Sequence, residues 1–335
     1  MFKNRIQNLQ FRSELLRTIR QLFYGKNFYE VQTPILSADT VIDCHLEPLV
    51  VGGSSLPINR HHTRNYYLQT SPEFAMKRLL AEGFNPIFQI TPVFRVGDRG
   101  PLHNVEFTML EWYRIGDDYQ SGMQFLEELI AFLFEYLVDK FVPVFPADAP
   151  RAVKCSQRTY RDAFESVTGI NPHTATISEL QSYCVQRQIP YPGVPWGAIR
   201  DDWLDLLFSE IVQPALDNVI VYDYPSTQPQ LAKIRHDTEC SVSERFELFL
   251  RGYEIASGYH ELQDAVELRM RFQANNNCRQ SVGRSVLPIE SSLLTTMESG
   301  FPPCSGTALG IDRLLMVMLG AESIDEVLTF PIEQA

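Results

Sequence analysis

With 335 residues, 44% of them hydrophobic and 21% charged, the chain has an ordinary globular composition and is long enough to bury a large core in one domain or two. A net charge of −12 and a pI near 5.1 argue against the broad basic surface that a phosphate backbone requires, while leaving room for a local basic patch. Cys44, Cys155, Cys184, Cys240, Cys278 and Cys304 lie far apart with no CxxC pair, which indicates neither a zinc site nor a disulfide framework and fits reduced thiols in a cytoplasm. The N-terminal segment is too polar for a signal peptide, and no run approaches the ~18 apolar residues that span a bilayer, so no membrane is implied.

In chain order, Phe2, Ile6, Leu9, Leu16, Ile19 and Phe23 recur at helical steps with one gap, predicting an amphipathic helix to about Tyr24 that Gly25 ends. Short strands are expected at 29–34, 46–52 and 66–69, with a loop at 52–59. Ser71 as cap and Pro72 at the first position predict a helix to about Glu82. Residues 86–114 then read as two apolar, β-branched and aromatic runs joined by a Gly/Asp/Pro/Asn-rich connection, an antiparallel hairpin with a long loop. Because side chains alternate along a strand, Phe107, Met109, Glu111 and Tyr113 share one face of the second run, and Arg95 closes the first. Such a face is a ligand floor or, alternatively, a half-buried surface.

Further on, helical periodicity covers 123–138, and Pro143, Pro146 and Pro150 mark an extended connection. Two helices are expected within 159–189, with Ser178 as a cap, and one from Trp203 to Leu216. A buried strand at 219–222 precedes a second hairpin, 245–250 and 253–258, turning at Arg251-Gly252. A helix from about Glu261 frays at Asn275-Asn276-Asn277, and a small-residue strand at 305–310 runs into a helix at 311–319. Strands that come mostly as hairpins between helices imply an α+β fold, an antiparallel sheet covered by helices.

Neither GxxxxGK[ST] nor GxGxxG is present, so a nucleotide would be held by other means. Arg95 and Arg313 supply one: Arg313 falls in the first turn of a helix, where backbone N–H groups and dipole favour anions, and guanidinium forks match phosphate oxygens. Structural salt bridges are the alternative for each. Glu247 and Glu254 flank the second turn, so the hairpin can pair them as magnesium ligands or leave them as a solvated acidic face. Glu261 lies at the same end, and Glu73, Glu111 and Tyr113 add the negative and hydroxyl character that an ammonium pocket requires.

At these residues the chain resembles the catalytic domain of class II aminoacyl-tRNA synthetases, most closely the lysyl type, over nearly its whole length. Residues 11–34 resemble motif 1, FRVGDRGPLHNVEFTMLEWY within 86–114 resembles motif 2, and GTALGIDRLLM within 305–319 resembles motif 3. RFELFLRGYEIASGYHEL resembles the metal- and substrate-binding hairpin of lysyl enzymes. Because the chain starts at motif 1 and stops soon after motif 3, the resemblance implies a single catalytic domain over 1–335 without the anticodon-binding barrel. It points to the truncated paralogues that attach (R)-β-lysine to a lysine of elongation factor P. The implied cofactors are ATP and Mg2+, and the implied substrates are lysine or β-lysine with elongation factor P as acceptor and tRNA not used. A homodimer through motif 1 is also implied.

The resemblance assigns roles residue by residue. Arg95 would contact the α-phosphate and substrate carboxylate, Phe107 would stack on adenine with His103 nearby, and Arg313 would hold the γ-phosphate. Glu247 and Glu254 would bind magnesium, and Glu73, Tyr113 and Glu261 would line the lysine pocket, Glu261 taking the ε-ammonium. Ala308 stands where tRNA-charging enzymes carry glycine, and one methyl in a pocket wall is worth ~1 kcal/mol of discrimination, enough to bias between lysine isomers. Two positions depart from the pattern: Arg95-Val96-Gly97 replaces Arg-Asn-Glu, leaving Asp98 as the nearest acid for the adenine amino group, and Ser257 replaces an expected asparagine. A ligase with another acceptor, or an inactive synthetase-like regulatory subunit, are the competing readings; the latter would be expected to have lost Arg95, Arg313, Glu247 and Glu254, and all four are present.

Overall fold

A computed structural model describes residues 5–53, 65–97, 99–140, 153–192 and 197–335. Phe2, most of the 52–59 loop, Asp98 and the three connecting prolines lie outside the described residues. Twelve strands follow the chain as β1 (Tyr29–Glu30), β2 (Leu36–Ser37), β3 (Val50–Val51), β4 (Tyr66–Leu68), β5 (Ile87–Phe94), β6 (Glu106–Ile115), β7 (Ser156–Thr159), β8 (Val219–Pro225), β9 (Ile234–His236), β10 (Ser241–Leu250), β11 (Tyr253–His260) and β12 (Cys304–Gly310). Nine of them, among the described residues, form one sheet in the order β1-β5-β6-β12-β11-β10-β8-β7, with β9 on β10; β2, β4 and β3 make a separate small sheet.

Both expected hairpins are present, as β5–β6 and β10–β11, and β12 lies between them, antiparallel to each. The sheet is nonetheless mixed, because the pairs β1·β5 and β7·β8 at its two ends are parallel. Hairpin signals are local and cannot report the direction in which a distant strand joins an edge.

The alternation of β6 decides the layers. Leu110 and Trp112 point into a core under helices α1 (Arg5–Gly25) and α3 (Tyr119–Lys140). Phe23 of α1 is fully buried there and stacks on Phe88 at 4.6 Å, a burial worth about 2–3 kcal/mol. Helices α4 (Tyr160–Thr168), α5 (Ile177–Arg187) and α6 (Arg200–Leu207) cover the far end with their own cluster. At the other end α2 (Glu73–Ala81), α7 (Ala265–Ser281) and α8 (Ser292–Glu298) pack together, while α9 (Ile311–Leu319) follows β12.

Several expected boundaries shift for identifiable reasons. The strand expected at 46–52 is only Val50–Val51. Helix α2 starts at Glu73 rather than at Pro72, and the Ser71 hydroxyl accepts from the Glu73 N–H while donating to Glu111 at 2.8 Å. Thr176, not Ser178, caps α5, in a capping box with Glu179. The run to Leu216 breaks into α6, a π-helical turn at Phe208–Val212 and a 3-10 turn at Gln213–Ala215, because Pro214 has no N–H to continue the ladder. Asp264 caps α7, which passes through the three asparagines to Ser281. They do not fray: Asn276 exchanges two hydrogen bonds with the Leu287 backbone, and Asn275 accepts from the Cys44 N–H.

The cysteine reading is corrected too. Cys44 and Cys278 form a disulfide that ties the 41–47 segment to α7, across a sequence separation of 234 that no local spacing could reveal. The other described cysteines are free.

Candidate active site

The face of β6 opposite the α1–α3 core is the floor of a cleft of about 380 Å³. Phe107, Met109, Glu111 and Tyr113 line it from β6, as the period-two pattern predicts, and Ala308 and Gly306 line it from β12. From β11 come Glu254, Ser257 and Tyr259, from β10 Arg245 and Glu247, and Arg95, His103, Glu73, Glu261 and Arg313 close the ends. Every predicted site residue within the described parts therefore meets in one cavity.

The β10–β11 turn explains how Glu247 and Glu254 come together. Arg251 and Gly252 both have positive φ, 51° and 76°, the geometry of a two-residue hairpin whose twist matches the strands. The register then slips: Leu248 pairs with Ala256 but Phe249 with Glu254, so Ile255 is an extra residue. That bulge lets Glu254 and Ser257, three apart, both reach the cleft.

At one end the groups are arginines over an open mouth. The Arg95 guanidinium lies 5.2 Å from the Phe107 ring centroid, and its Nη2 donates to the Thr70 carbonyl at 3.5 Å. Arg313 donates to His103 Nε2 at 2.5 Å and to the Glu254 carbonyl at 3.1 Å, and lies 3.6 Å from the Glu254 carboxylate. Glu247 is buried, accepting from the Tyr224 hydroxyl at 2.6 Å and ion-paired to Arg245. Burial pushes the Glu247 carboxyl up, Arg245 pulls against it, and the nearby Glu254 charge adds to the rise. Two acids that repel each other at the cleft wall are a donor pair that a hard dication would relieve, so they fit magnesium completed by substrate oxygens. Among the described residues no three His, Cys, Asp or Glu side chains converge as a metal site of protein ligands alone.

At the other end the groups are acids in a dry floor. The Tyr113 hydroxyl donates to Glu111 Oε1 at 2.6 Å, and burial followed by the Glu73 charge pushes the Glu111 carboxyl up to about 7. Lys77, which the sequence reading did not single out, lies 2.5 Å from Glu73 and 2.6 Å from Glu261. Burial alone would strip its proton, but the charges of Glu261 and Glu73 outweigh it and hold the ammonium well above its ordinary value. Gly306 was missed as well: a Cβ there would lie 2.2 Å from the Tyr113 ring and 2.3 Å from Glu261 Oε1, so bare backbone is what lets these two approach. The GT between Ser305 and Ala308 carried that signal in principle, but nothing local in it tells which side chains crowd the strand.

A third cluster joins the signature segments. Arg12 of α1 pairs with Asp312 of α9 at 2.5 Å and donates to Thr108 Oγ1 at 2.6 Å, and Asp312 accepts from the Thr108 N–H at 2.6 Å. First-helix, central-hairpin and last-helix segments thus share one partly buried knot.

With this geometry in hand, the family model of class II tRNA synthetases (D, K and N) matches residues 2–334. The chain belongs to this family. Within it, the chain is 38% identical to an elongation factor P–(R)-β-lysine ligase of Vibrio cholerae serotype O1, over 98% of this chain and 97% of the relative. It is 38% identical to the protein of that name from Pseudoalteromonas translucida, over 98% and 97%, and 37% identical to that of Klebsiella pneumoniae strain 342, over 98% and 96%. The class II synthetase fold expected from the motifs is thereby established, and among the described residues no helix is long and apolar enough to cross a membrane.

Proposed function

We propose that the protein activates a lysine, preferentially (R)-β-lysine, with ATP and transfers the aminoacyl group to a lysine side chain of elongation factor P. The observation that carries the reading is the joining, in one cleft, of an end lined by Arg95 and Arg313 with an end lined by the buried acids Glu73, Glu111 and Glu261. The names of relatives 37–38% identical over nearly the full length support the choice of substrate and acceptor, and the net charge of −12 disfavours tRNA.

In the first step a carboxylate oxygen of the amino acid attacks the α-phosphorus of ATP, and the bond from that phosphorus to the bridging oxygen breaks as pyrophosphate leaves. Arg95 balances charge on the α-phosphate and orients the carboxylate, Arg313 holds the γ-phosphate, and Phe107 with His103 receives the adenine. Glu247 and Glu254 would hold magnesium, which when bound neutralises phosphate charge. Asp98, the candidate for the adenine amino group, lies outside the described residues. In the second step the neutral amine of the acceptor lysine attacks the adenylate carbonyl; the amide forms, the bond to AMP oxygen breaks with its electron pair, and the amine sheds a proton.

Glu73, Glu111, Tyr113 and Glu261 bind the amino groups, with Glu261 facing the ε-ammonium, while Ser257 and the Ala308 methyl shape the wall that separates isomers. We assign the dimer contact to the first-helix segment and place the reaction in the cytoplasm, the compartment of the proposed acceptor's translation machinery. Incubating the protein with ATP, radiolabelled lysine or (R)-β-lysine, bulk tRNA and elongation factor P tests the reading. Label is expected on the factor, and label on tRNA overturns the acceptor.

A further inference from the structure

Behind the acids at the amino-group end of the cleft sits a cation that does not itself line the cavity. Lys77 is 3% exposed and bridges Glu73, one turn earlier on α2, and Glu261, just past β11. We propose that Lys77 is a positioning residue for the amino-acid substrate: its ammonium, shared between Glu73 and Glu261, orients both carboxylates and favours the charged form of Glu261, so that the pocket offers more acidic groups than cations to the two ammonium groups of a diamino acid. The inference rests on the lysine-type reading above and adds a residue to it.

The charge inventory supports this. Among the described residues, three buried carboxyl groups face this end, Glu73, Glu111 and Glu261, against the single ammonium of Lys77; burial pushes Glu261 up to about 8 and Glu111 up to about 7, and the Lys77 charge pulls both back toward the ionised form. The remaining titratable neighbours add no charge near neutrality: burial holds the Tyr113 and Tyr259 hydroxyls and the Cys304 thiol in their protonated forms. Asp117, which also faces Cys304, is paired with Arg114. The substrate carboxylate, at the Arg95 end, does not enter the count.

Geometry points the same way. Glu261 Oε1 occupies the space beside Gly306 while Oε2 is turned to Lys77, so the lysine fixes which carboxylate oxygen is left for a ligand. Without the ammonium, the buried Glu111 and Glu261 carboxyls hold a proton to higher pH than they do beside Lys77. A ligand ammonium must then expel that proton before it binds.

The test is ATP–pyrophosphate exchange by wild type, Lys77→Met and Lys77→Arg from pH 6 to 9, with KM and kcat resolved for lysine and (R)-β-lysine. Lys77→Met is expected to raise the amino-acid KM about tenfold or more at pH 7 and to approach wild type by pH 9, since one unit of displaced titration is a factor of ten. KM for ATP should stay within about twofold, and Lys77→Arg, which keeps the charge, should fall between. A KM raised by the same factor at every pH means that Lys77 only fills space, and overturns the proposal, as does an unchanged KM. If Lys77→Met does not fold, Glu73→Gln/Lys77→Met removes one charge of each sign; it should fold, and its melting temperature should vary with pH as wild type's does, and failure to do so counts against the charge argument. Should wild type activate neither isomer, the functional reading fails by itself, and the Lys77 arrangement is still decided by thermal melts. The variant with uncompensated acids must lose stability more steeply than wild type as pH rises from 6 to 8, and equal slopes overturn the role of Lys77.

Discussion

The two ends of the cleft solve opposite problems with the same sheet. At the amino-group end the charged atoms are dry and already paired, with Lys77 and Glu261 at 3% and 1% exposure. At the phosphate end Arg313 and Glu254 are 25% and 42% exposed, and Arg313 is held by the His103 ring, by backbone carbonyls and by Glu254. Buried charges are strong only if their partners are fixed in advance, so the amino-group end acts as a rigid gauge of the substrate. Partly exposed arginines are screened until a polyanion displaces the water around them, which on the proposed function would let the other end accept ATP and release pyrophosphate. On the function proposed above, selectivity falls to the first and turnover to the second.

The sharpest way to break this division is at Arg313. Arg313→Ala is expected to lower ATP–pyrophosphate exchange by about a thousandfold or more while leaving amino-acid binding, read by calorimetry, nearly intact. Near-normal exchange would remove the phosphate end from the reaction. Gly306→Ala attacks the gauge instead: the added methyl must displace the Tyr113 ring or Glu261. Overpacking of this kind costs about 1–3 kcal/mol, so kcat/KM for the amino acid should fall about a hundredfold with ATP affinity unchanged. Equal losses for both substrates would show that the two ends are not independent.

The smallest effect is in pH. Because the Glu111 carboxyl is raised from an ordinary 4.5 to about 7, it is neutral below that value and gains its attraction for an ammonium above it. The amino-acid KM should be several-fold higher at pH 6 than at pH 8, and Glu111→Gln should flatten that slope, as steady-state assays can check. For folding the sign reverses. The native state keeps a proton that the unfolded chain releases between about 4.5 and 7, so Glu111 costs stability as pH rises through that window.

What could be read from the chain was what repeats at short range. Alternation placed Phe107, Met109, Glu111 and Tyr113 on one face, and a two-residue turn implied that Glu247 and Glu254 converge; both hold in the fold. Lys77 was invisible because its surroundings on α2 look like an ordinary helix, and only Glu261, brought in from β11, makes it a buried ion. The Cys44–Cys278 bridge, the Arg12–Asp312–Thr108 knot and the parallel edge pairs share that character: each joins segments whose adjacency is a property of the whole fold. Asparagine 275–277 misled in the opposite direction, since a turn-forming composition was overridden by hydrogen bonds to Cys44 and Leu287.

The position of β12 has a consequence for how the molecule is assembled. The β5–β6 and β10–β11 hairpins each close locally and can form early, but β12 follows both in the chain and is the only described strand that touches both. Until it inserts, β6 and β11 expose unpaired edges, and the cleft exists as two halves, Arg95 with Phe107 on one and Glu247 with Glu254 on the other. The site is therefore complete only when β12 is paired on both sides. A partly folded chain cannot present a continuous floor to ATP and an amino acid together, so formation of a reactive adenylate waits until the walls that enclose it are in place.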